Sequence, residues 1–588
     1  MIKEMTFKEV LGKCLKREGV EYVFGLPGHG NIAMLDGMIK EGISIRVMHH
    51  ETIAGHVADG YSRASGKPGV VCLTCSPGAF NTMLSVTTAA MDCTAMVYIV
   101  GDTPLRFAGK SCYEEFDLAS ADDQFGVLRH MFKRAWKVTQ PCQLPDIISQ
   151  AFNSAISGKP GPVLIDVPLD LQTMKMFVKL PDTTKRRPTY KSSAEHMGIK
   201  KAAELLDAAK CPVIFAGGGT RLSKATDELI KLAERINAVV VSSLAGSGSF
   251  PTKHQNFAGT IGSYGVRTAN DICKNSDLIL AVGTRFEESE TSMWLPEFVF
   301  NPDTTKFIQI DIDPREVGKN YPVEVGLVGD AKTILNQIIE AVSPVQPAVA
   351  ESRSNNIEIV KQGKKLLKEK IEKTCVSSEV PINPRRVLRA LERTMPDNTT
   401  MTLDPSWCRV GMLQQMDLNS QEDAYIVSGI LPIGWSSSAC IGINMAMPHR
   451  KVVAITGDGG FLLNNNAVAS AVENNLPIVW VILNNGGYNS LGVLSTVYFG
   501  EQEGSWFKEE KTGNPYSPDY AMLAKSYGAH GELIKNPDDL EDAFRRAFAA
   551  NAPYVLDIRI SGPGSRLVRT AQVTWDYFWE RATNKSAR

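Results

Sequence analysis

The stretch Val452-Val-Ala-Ile-Thr-Gly-Asp-Gly-Gly-Phe461, followed by Ile482-Leu-Asn-Asn-Gly-Gly-Tyr488, decides the fold. A run of β-formers ends at Gly457, so a strand delivers Asp458 to the rim of a sheet, and the flanking glycines let the backbone come close to an anionic ligand. The 24 residues 460–483 between Gly459 and Asn484 suffice for one helix and the next strand. A right-handed crossover then returns Asn484 and Asn485 to the rim where Asp458 emerges. The same grammar extends outward through Val20 to Phe24, Gly69 to Thr74, Ala95 to Val100, Val163 to Val167, Val213 to Ala216, Leu278 to Val282 and Phe307 to Ile312. Continuous apolar runs of this length suit parallel strands covered by helices on both faces. The fold class is α/β.

A chain of 588 residues exceeds one ordinary hydrophobic core. Leu180-Pro-Asp-Thr-Thr-Lys-Arg-Arg-Pro-Thr189 is polar with two prolines, and Val342-Ser-Pro-Val-Gln-Pro-Ala-Val349 leads into a charged helix-like stretch from Glu351 to Lys373. These joins predict three consecutive doubly wound parallel-sheet domains, 1–178, 190–345 and 375–563, with a C-terminal tail at 564–588. Ligands of such sheets bind at the carboxyl ends of the strands.

A formal net charge of −1 gives no broad attraction to nucleic acid or to a membrane surface. The N-terminus, Met1-Ile-Lys-Glu-Met-Thr-Phe-Lys-Glu-Val10, is amphipathic and charged, without a signal-peptide core or a spanning run, so a cytoplasmic location is expected. Eleven scattered cysteines, an odd number, fit reduced thiols. Cys72 and Cys75 form a C-x-x-C inside Gly69-Val-Val-Cys-Leu-Thr-Cys75, which reads as a buried strand rather than a zinc or redox pair.

One carboxylate, one amide oxygen and one backbone carbonyl make a hard-oxygen site with open octahedral positions, the arrangement magnesium prefers. Gly457-Asp-Gly-Gly460, the gap and Asn484-Asn485 resemble the motif of thiamine diphosphate-dependent enzymes of the acetolactate synthase and pyruvate oxidase family. The resemblance implies Asp458, Asn485 and the carbonyl of Gly487 as magnesium ligands. It places Gly457, Gly459, Gly460, Asn484 and Tyr488 around the diphosphate. The family also needs a carboxyl group at N1′ of the cofactor's aminopyrimidine. Arg46-Val-Met-His-His-Glu-Thr-Ile-Ala-Gly-His-Val-Ala-Asp-Gly-Tyr-Ser-Arg-Ala-Ser-Gly-Lys-Pro-Gly69 resembles the segment that supplies it, with Glu51 in the catalytic position. An apolar setting there would raise the glutamate's pKa and ease proton exchange. Because the two halves lie in different domains, the family precedent implies a site between copies, hence a homodimer or homotetramer.

Further stretches extend the resemblance over nearly the whole chain. Tyr22-Val-Phe-Gly-Leu-Pro-Gly-His-Gly30 resembles the glycine turn over the reacting centre, with Gly28 at the cofactor. Ser76-Pro-Gly-Ala-Phe-Asn81 resembles the second turn, with Asn81 there, and Gly158-Lys-Pro-Gly-Pro-Val-Leu-Ile-Asp-Val-Pro168 the close of that domain. Gly429-Ile-Leu-Pro-Ile-Gly-Trp435 matches the loop under the thiazolium, which assigns Ile433 to bending the cofactor and the Leu431 carbonyl to its 4′-amino group. Ala216-Gly-Gly-Gly-Thr220, Val282-Gly-Thr-Arg-Phe-Glu287 and Gln309-Ile-Asp-Ile-Asp-Pro-Arg315 mark the central domain. There the family holds FAD near the equivalents of Gly218, Gly219 and Arg285, another nucleotide, or nothing. Three glycines also serve a tight turn without ligand.

Departures bear on the substrate. Asp404-Pro-Ser-Trp-Cys-Arg409 stands where acetolactate synthases carry a Gly-Gln-His stretch, and Leu491-Gly-Val-Leu-Ser-Thr-Val-Tyr498 where they carry Arg-Gln-Trp. His29 is placed to donate to a substrate oxygen or to shuttle a proton. His50 reads as structural, and His49 and His56 as surface or packing residues. Lys133, in Met131-Phe-Lys-Arg-Ala-Trp136, matches a channel lysine or is one more exposed lysine. The tail from Gly562 to Trp579 packs on a neighbour or closes as a lid. The implied activity is decarboxylation of a small 2-oxo acid with carboligation to a carbonyl acceptor. A non-ligating decarboxylase or C–C lyase, an FAD-dependent oxidase and a catalytically silent regulatory relative are the alternatives.

Overall fold

A computed structural model describes residues 2–180, 182, 187–492, 495 and 504–561. The tail expected at 564–588, and residues 493, 494 and 496–498 of the Leu491–Tyr498 stretch, lie outside these residues. The strands are β1 (Lys3–Thr6), β2 (Tyr22–Gly25), β3 (Ser44–Val47), β4 (Gly69–Leu73), β5 (Met96–Asp102), β6 (Arg134–Lys137), β7 (Pro162–Pro168) and β8 (Lys175–Val178). They continue as β9 (Pro212–Ala216), β10 (Val239–Ser242), β11 (Phe257–Thr260), β12 (Leu278–Val282), β13 (Lys306–Asp311) and β14 (Val325–Val328). The last set is β15 (Thr399–Leu403), β16 (Ala424–Ile426), β17 (Lys451–Gly457), β18 (Ile478–Asn484), β19 (His530–Ile534) and β20 (Tyr554–Arg559).

These build three six-stranded parallel sheets flanked by helices, ordered β3-β2-β4-β5-β7-β6, β11-β10-β9-β12-β13-β14 and β16-β15-β17-β18-β20-β19. A small antiparallel pair, β1 with β8, ties the start of the first unit to its end. The first and third sheets share one strand order. In both, the order reverses between the unit's first and third strands, β2 and β4 in one, β15 and β17 in the other. In the central sheet it reverses between β9 and β12. Such reversals open the crevices where α/β sheets bind ligands.

The middle strands are apolar because both faces are covered: β5, β9, β12 and β18 are buried along their whole length. All nine apolar runs picked out by sequence fall on strands. No described helix is long and apolar enough to cross a membrane.

The first and third units meet through α1 (Glu51–Ser65) and α4 (Trp435–Ala446), the second of which is almost wholly buried. Their backbones touch: a Cβ added at Gly442 would lie 1.8 Å from the Val57 carbonyl oxygen, and one at Gly60 2.2 Å from that of Ala439. Position numbers fall on one helix as they rise on the other, so the pair is antiparallel. Between α1 and α4 in sequence lie α2 (Ser76–Asn81) and the 29-residue α3 (Pro347–Cys375), which carries the chain from the central unit to the third. Arg353 of α3 is fully buried and donates to the carbonyls of Leu206, Asp207, Ala209 and Ile236, capping two helices of the central unit.

Candidate active site

β17 and β18 pair with Gly457 opposite Leu483, so Asp458 and Asn484 leave the sheet side by side. Asp458 opens α5 (Asp458–Leu463) and is 1% exposed. Its Oδ2 accepts from the backbone N–H groups of Gly486 and Gly487 at 2.8 and 2.9 Å. Burial lifts the carboxyl to about 6, against the pull of those amides. Next to these amides, Asn485 carries a buried Oδ1 without a hydrogen-bond partner, an arrangement that costs about 1–3 kcal/mol when left unmet. A small hard cation would satisfy that oxygen and restore the charge on Asp458. The donors present therefore fit magnesium.

Asn484 is already engaged. Its Nδ2 donates to Asp557 Oδ1 at 2.8 Å and to Ser517 Oγ at 3.1 Å, and its Oδ1 accepts from Gly486 N at 3.2 Å, so it shapes the turn. The Tyr488 ring covers Gly459, where a Cβ would meet it at 2.6 Å. A Cβ on Gly460 would lie 2.6 Å from Asp404 Oδ2, and one on Gly457 meets nothing.

Asp404 follows β15, across the strand-order reversal from β17. It is buried and accepts from Gly434 N, Ser436 N and Thr456 Oγ1 at 2.8, 2.7 and 2.6 Å. Together with Asn464 Nδ2 on the Gly434 carbonyl, it bolts the Gly429–Trp435 loop to β17 and α5. In that loop Leu431 has φ +54° and Gly434 φ +87°, a left-handed backbone that costs a leucine free energy and marks a constrained site. Asp404 lies in a stretch that the sequence marked only as a departure; its anchoring role follows from its three donors.

In the first unit, Glu51 is half-buried at the start of α1. Asn81 Nδ2 donates to its Oε2 at 2.9 Å, and Thr52 Oγ1 returns a bond to the Asn81 carbonyl. His50 Nδ1 accepts from Thr52 N at 3.1 Å, making His50 the helix cap. His56 is fully buried, which pushes its imidazole down to about 3, so it packs as a neutral ring. Gly28 and Gly30 press on the end of β4: added Cβ atoms would lie 2.6 Å from Thr74 Cβ and 2.4 Å from Cys75 Sγ. His29 stands between them, 73% exposed, with Nδ1 3.6 Å from Glu114 Oε1. Glu114 had no signal in spacing or periodicity. Cys72 is buried on β4 and Cys75 is buried just beyond it, and no metal-holding His, Cys, Asp or Glu cluster exists among the described residues.

Lys133 is not brought to this group. Its Nζ donates to the carbonyls of Ser154 and Ser157 at 2.6 and 2.5 Å, capping the helix Leu144–Ile156, and burial lowers its pKa. The central glycines answer to backbone packing: a Cβ on Gly219 would lie 2.7 Å from Gly283 Cα, one on Gly217 2.3 Å from the Gly283 carbonyl oxygen, and one on Gly218 3.0 Å from Ala245 Cβ. Arg285 is mostly buried, with Glu287 Oε1 3.8 Å from its Nη2.

Three family models match the chain in order: thiamine pyrophosphate enzyme, N-terminal TPP binding domain, over residues 5–123; central domain, over 199–338; and C-terminal TPP binding domain, over 408–558. A probable acetolactate synthase large subunit of Methanococcus aeolicus is 32% identical over 96% of this chain and 93% of its own length. The acetolactate synthase large subunit of Haemophilus influenzae is 30% identical over 95% of each chain. The isozyme 3 large subunit of Escherichia coli is 29% identical over 94% of each.

Proposed function

This chain belongs to the thiamine pyrophosphate enzyme family, and we propose that it is an acetolactate synthase-like carboligase that decarboxylates a small 2-oxo acid and joins the remaining acyl unit to a carbonyl acceptor. The observation that carries the cofactor assignment is Asn485 Oδ1, buried without a partner beside buried Asp458. When bound, thiamine diphosphate supplies an acidic C–H and an electron sink for the decarboxylation. Asp458, Asn485 and the Gly487 carbonyl would hold magnesium, with the diphosphate against the backbone of Gly459 and Gly460, whose side-chain directions Tyr488 and Asp404 already fill. Leu431 and Ile433, on the loop fixed by Asp404, shape the floor beneath the ring. Glu51 exchanges a proton with the aminopyrimidine N1′, and Asn81 holds that carboxylate in place.

Two copies are needed. Asp59, which meets Trp435, lies eight residues beyond Glu51 on α1, about 12 Å along the helix axis. Within one chain, therefore, Trp435 at the end of that loop meets α1 about two turns from Glu51. A homodimer, or a tetramer of two such pairs, joins Glu51 of one copy to Asp458 of another. All eleven cysteines are free thiols, in keeping with the cytoplasm as its compartment.

Mass spectrometry of products and of cofactors released on denaturation, after incubation with a panel of 2-oxo acids, tests this reading. Carbon dioxide release with a ligated hydroxy-carbonyl product and bound thiamine diphosphate is expected. Aldehyde alone would make the chain a simple decarboxylase, and released flavin would assign FAD to the central unit.

A further inference from the structure

We propose that Glu114 is a positioning residue for His29, and that the two form an acid–base dyad over the acceptor carbonyl. This rests on the carboligase reading above. The pair sits where the first sheet reverses its strand order, between β2 and β4, the crevice in which such sheets bind ligands. Gly28 and Gly30 have no room for side chains, and His29 between them is 73% exposed.

Glu114 is held toward it by one hydroxyl and by its own backbone. Its backbone takes φ +61°, a conformation a glutamate adopts only under constraint. Thr74 Oγ1 donates to its Oε2 at 3.2 Å and accepts from Gly30 N at 3.1 Å, so one hydroxyl joins the carboxylate to the turn bearing His29. Oε1 is then 3.6 Å from His29 Nδ1, and the Tyr113 ring meets the imidazole edge-on at 5.1 Å.

Other titratable groups nearby are engaged elsewhere. Glu115 accepts from Gly109 N and Cys112 N at 2.9 and 2.6 Å. Asp102 pairs with Lys137 at 2.7 Å. The Cys75 thiol, beneath Gly30, is pushed up to about 12 by burial and by Glu114, and stays neutral. Glu51 lies beyond Gly78 and is held by Asn81.

A carboxylate at Nδ1 fixes the tautomer and orientation of an imidazole and stabilises its charged form. His29 Nδ1–H then points to Glu114 and Nε2 to the cleft. As the new C–C bond forms, the acceptor's carbonyl oxygen becomes a hydroxyl. The Nε2–H bond of the protonated ring breaks, the proton forms the new O–H bond, the Nδ1–H stays on the ring facing Glu114, and solvent returns a proton to Nε2.

The test uses the full-length enzyme with magnesium and thiamine diphosphate, carrying isotope-labelled histidine. The His29 resonance is identified by its loss in His29→Gln. Glu114→Gln should move the His29 tautomer equilibrium away from the Nδ1–H form, read from the ring nitrogen chemical shifts. It should also lower kcat for ligation, with cofactor content unchanged, and Glu114→Asp should restore part of both. An unchanged His29 tautomer equilibrium in Glu114→Gln overturns the dyad whatever the activity. A changed tautomer equilibrium in an enzyme that ligates no carbonyl compound keeps the pair, removes its role in ligation and refutes the carboligase reading instead.

Discussion

Trp435 Nε1 donates to Asp59 Oδ2 at 2.6 Å, linking the loop that carries Leu431 and Ile433 to the helix that begins with Glu51. Arg63 completes the junction, paired with Asp59 at 3.0 Å and with Asp92 at 2.8 Å. Asp92 in turn accepts from Ser428 N and Gly429 N. These buried hydrogen bonds fix the loop against α1 within one chain.

Asp59→Ala should leave the Trp435 N–H and one face of the Arg63 guanidinium buried without partners. Loss of one partner of a buried pair costs about 3–5 kcal/mol, read as a lowered thermal midpoint. Cofactor affinity should fall with it, because the loop that loses its anchor carries Leu431 and Ile433, proposed above as the floor of the site.

Asp404 gives a pH dependence of definite sign. Burial holds its carboxyl at about 6, above the ordinary 3.8, so between those values the folded chain holds a proton that the unfolded chain has released. The resulting stabilisation is fully present below pH 4 and is lost as pH rises through 6. Asp404→Asn removes this titration. From pH 4 to pH 7 the native chain should lose up to about 3 kcal/mol relative to the variant, measured by denaturant unfolding at the two pH values.

The strand ends were legible because fully covered parallel strands are written as unbroken apolar runs, and because glycine before Asp458 and after Asn485 leaves few alternatives to a rim turn. Edge strands such as Arg134–Lys137 and the three-residue Ala424–Ile426 are short or polar and left no such trace. Glu51 stood out through its neighbours in sequence. Asp404, Asp59 and Glu114 did not, since Gly434, Trp435 and Thr74, which donate to them, lie far off in sequence, and a lone carboxylate in sequence does not reveal them. Lys133, bound to the carbonyls at a helix end, looks in sequence like any other lysine.

The proposed assembly predicts complementation. Glu51→Gln and Asp458→Ala should each be inactive alone. Co-expressed with different tags, they should form mixed dimers with one intact site in two, giving about a quarter of native activity over the whole random mixture. A site contained within one chain would leave the mixture inactive.

The most direct measurement follows hydrogen–deuterium exchange at the thiazolium C2 of the bound cofactor in Glu51→Gln. Thiamine diphosphate and magnesium should be retained at native stoichiometry, with exchange slowed by about 10²–10⁴-fold, the range of a lost general acid–base group. Exchange at the native rate, with cofactor still bound, would contradict the assignment of Glu51.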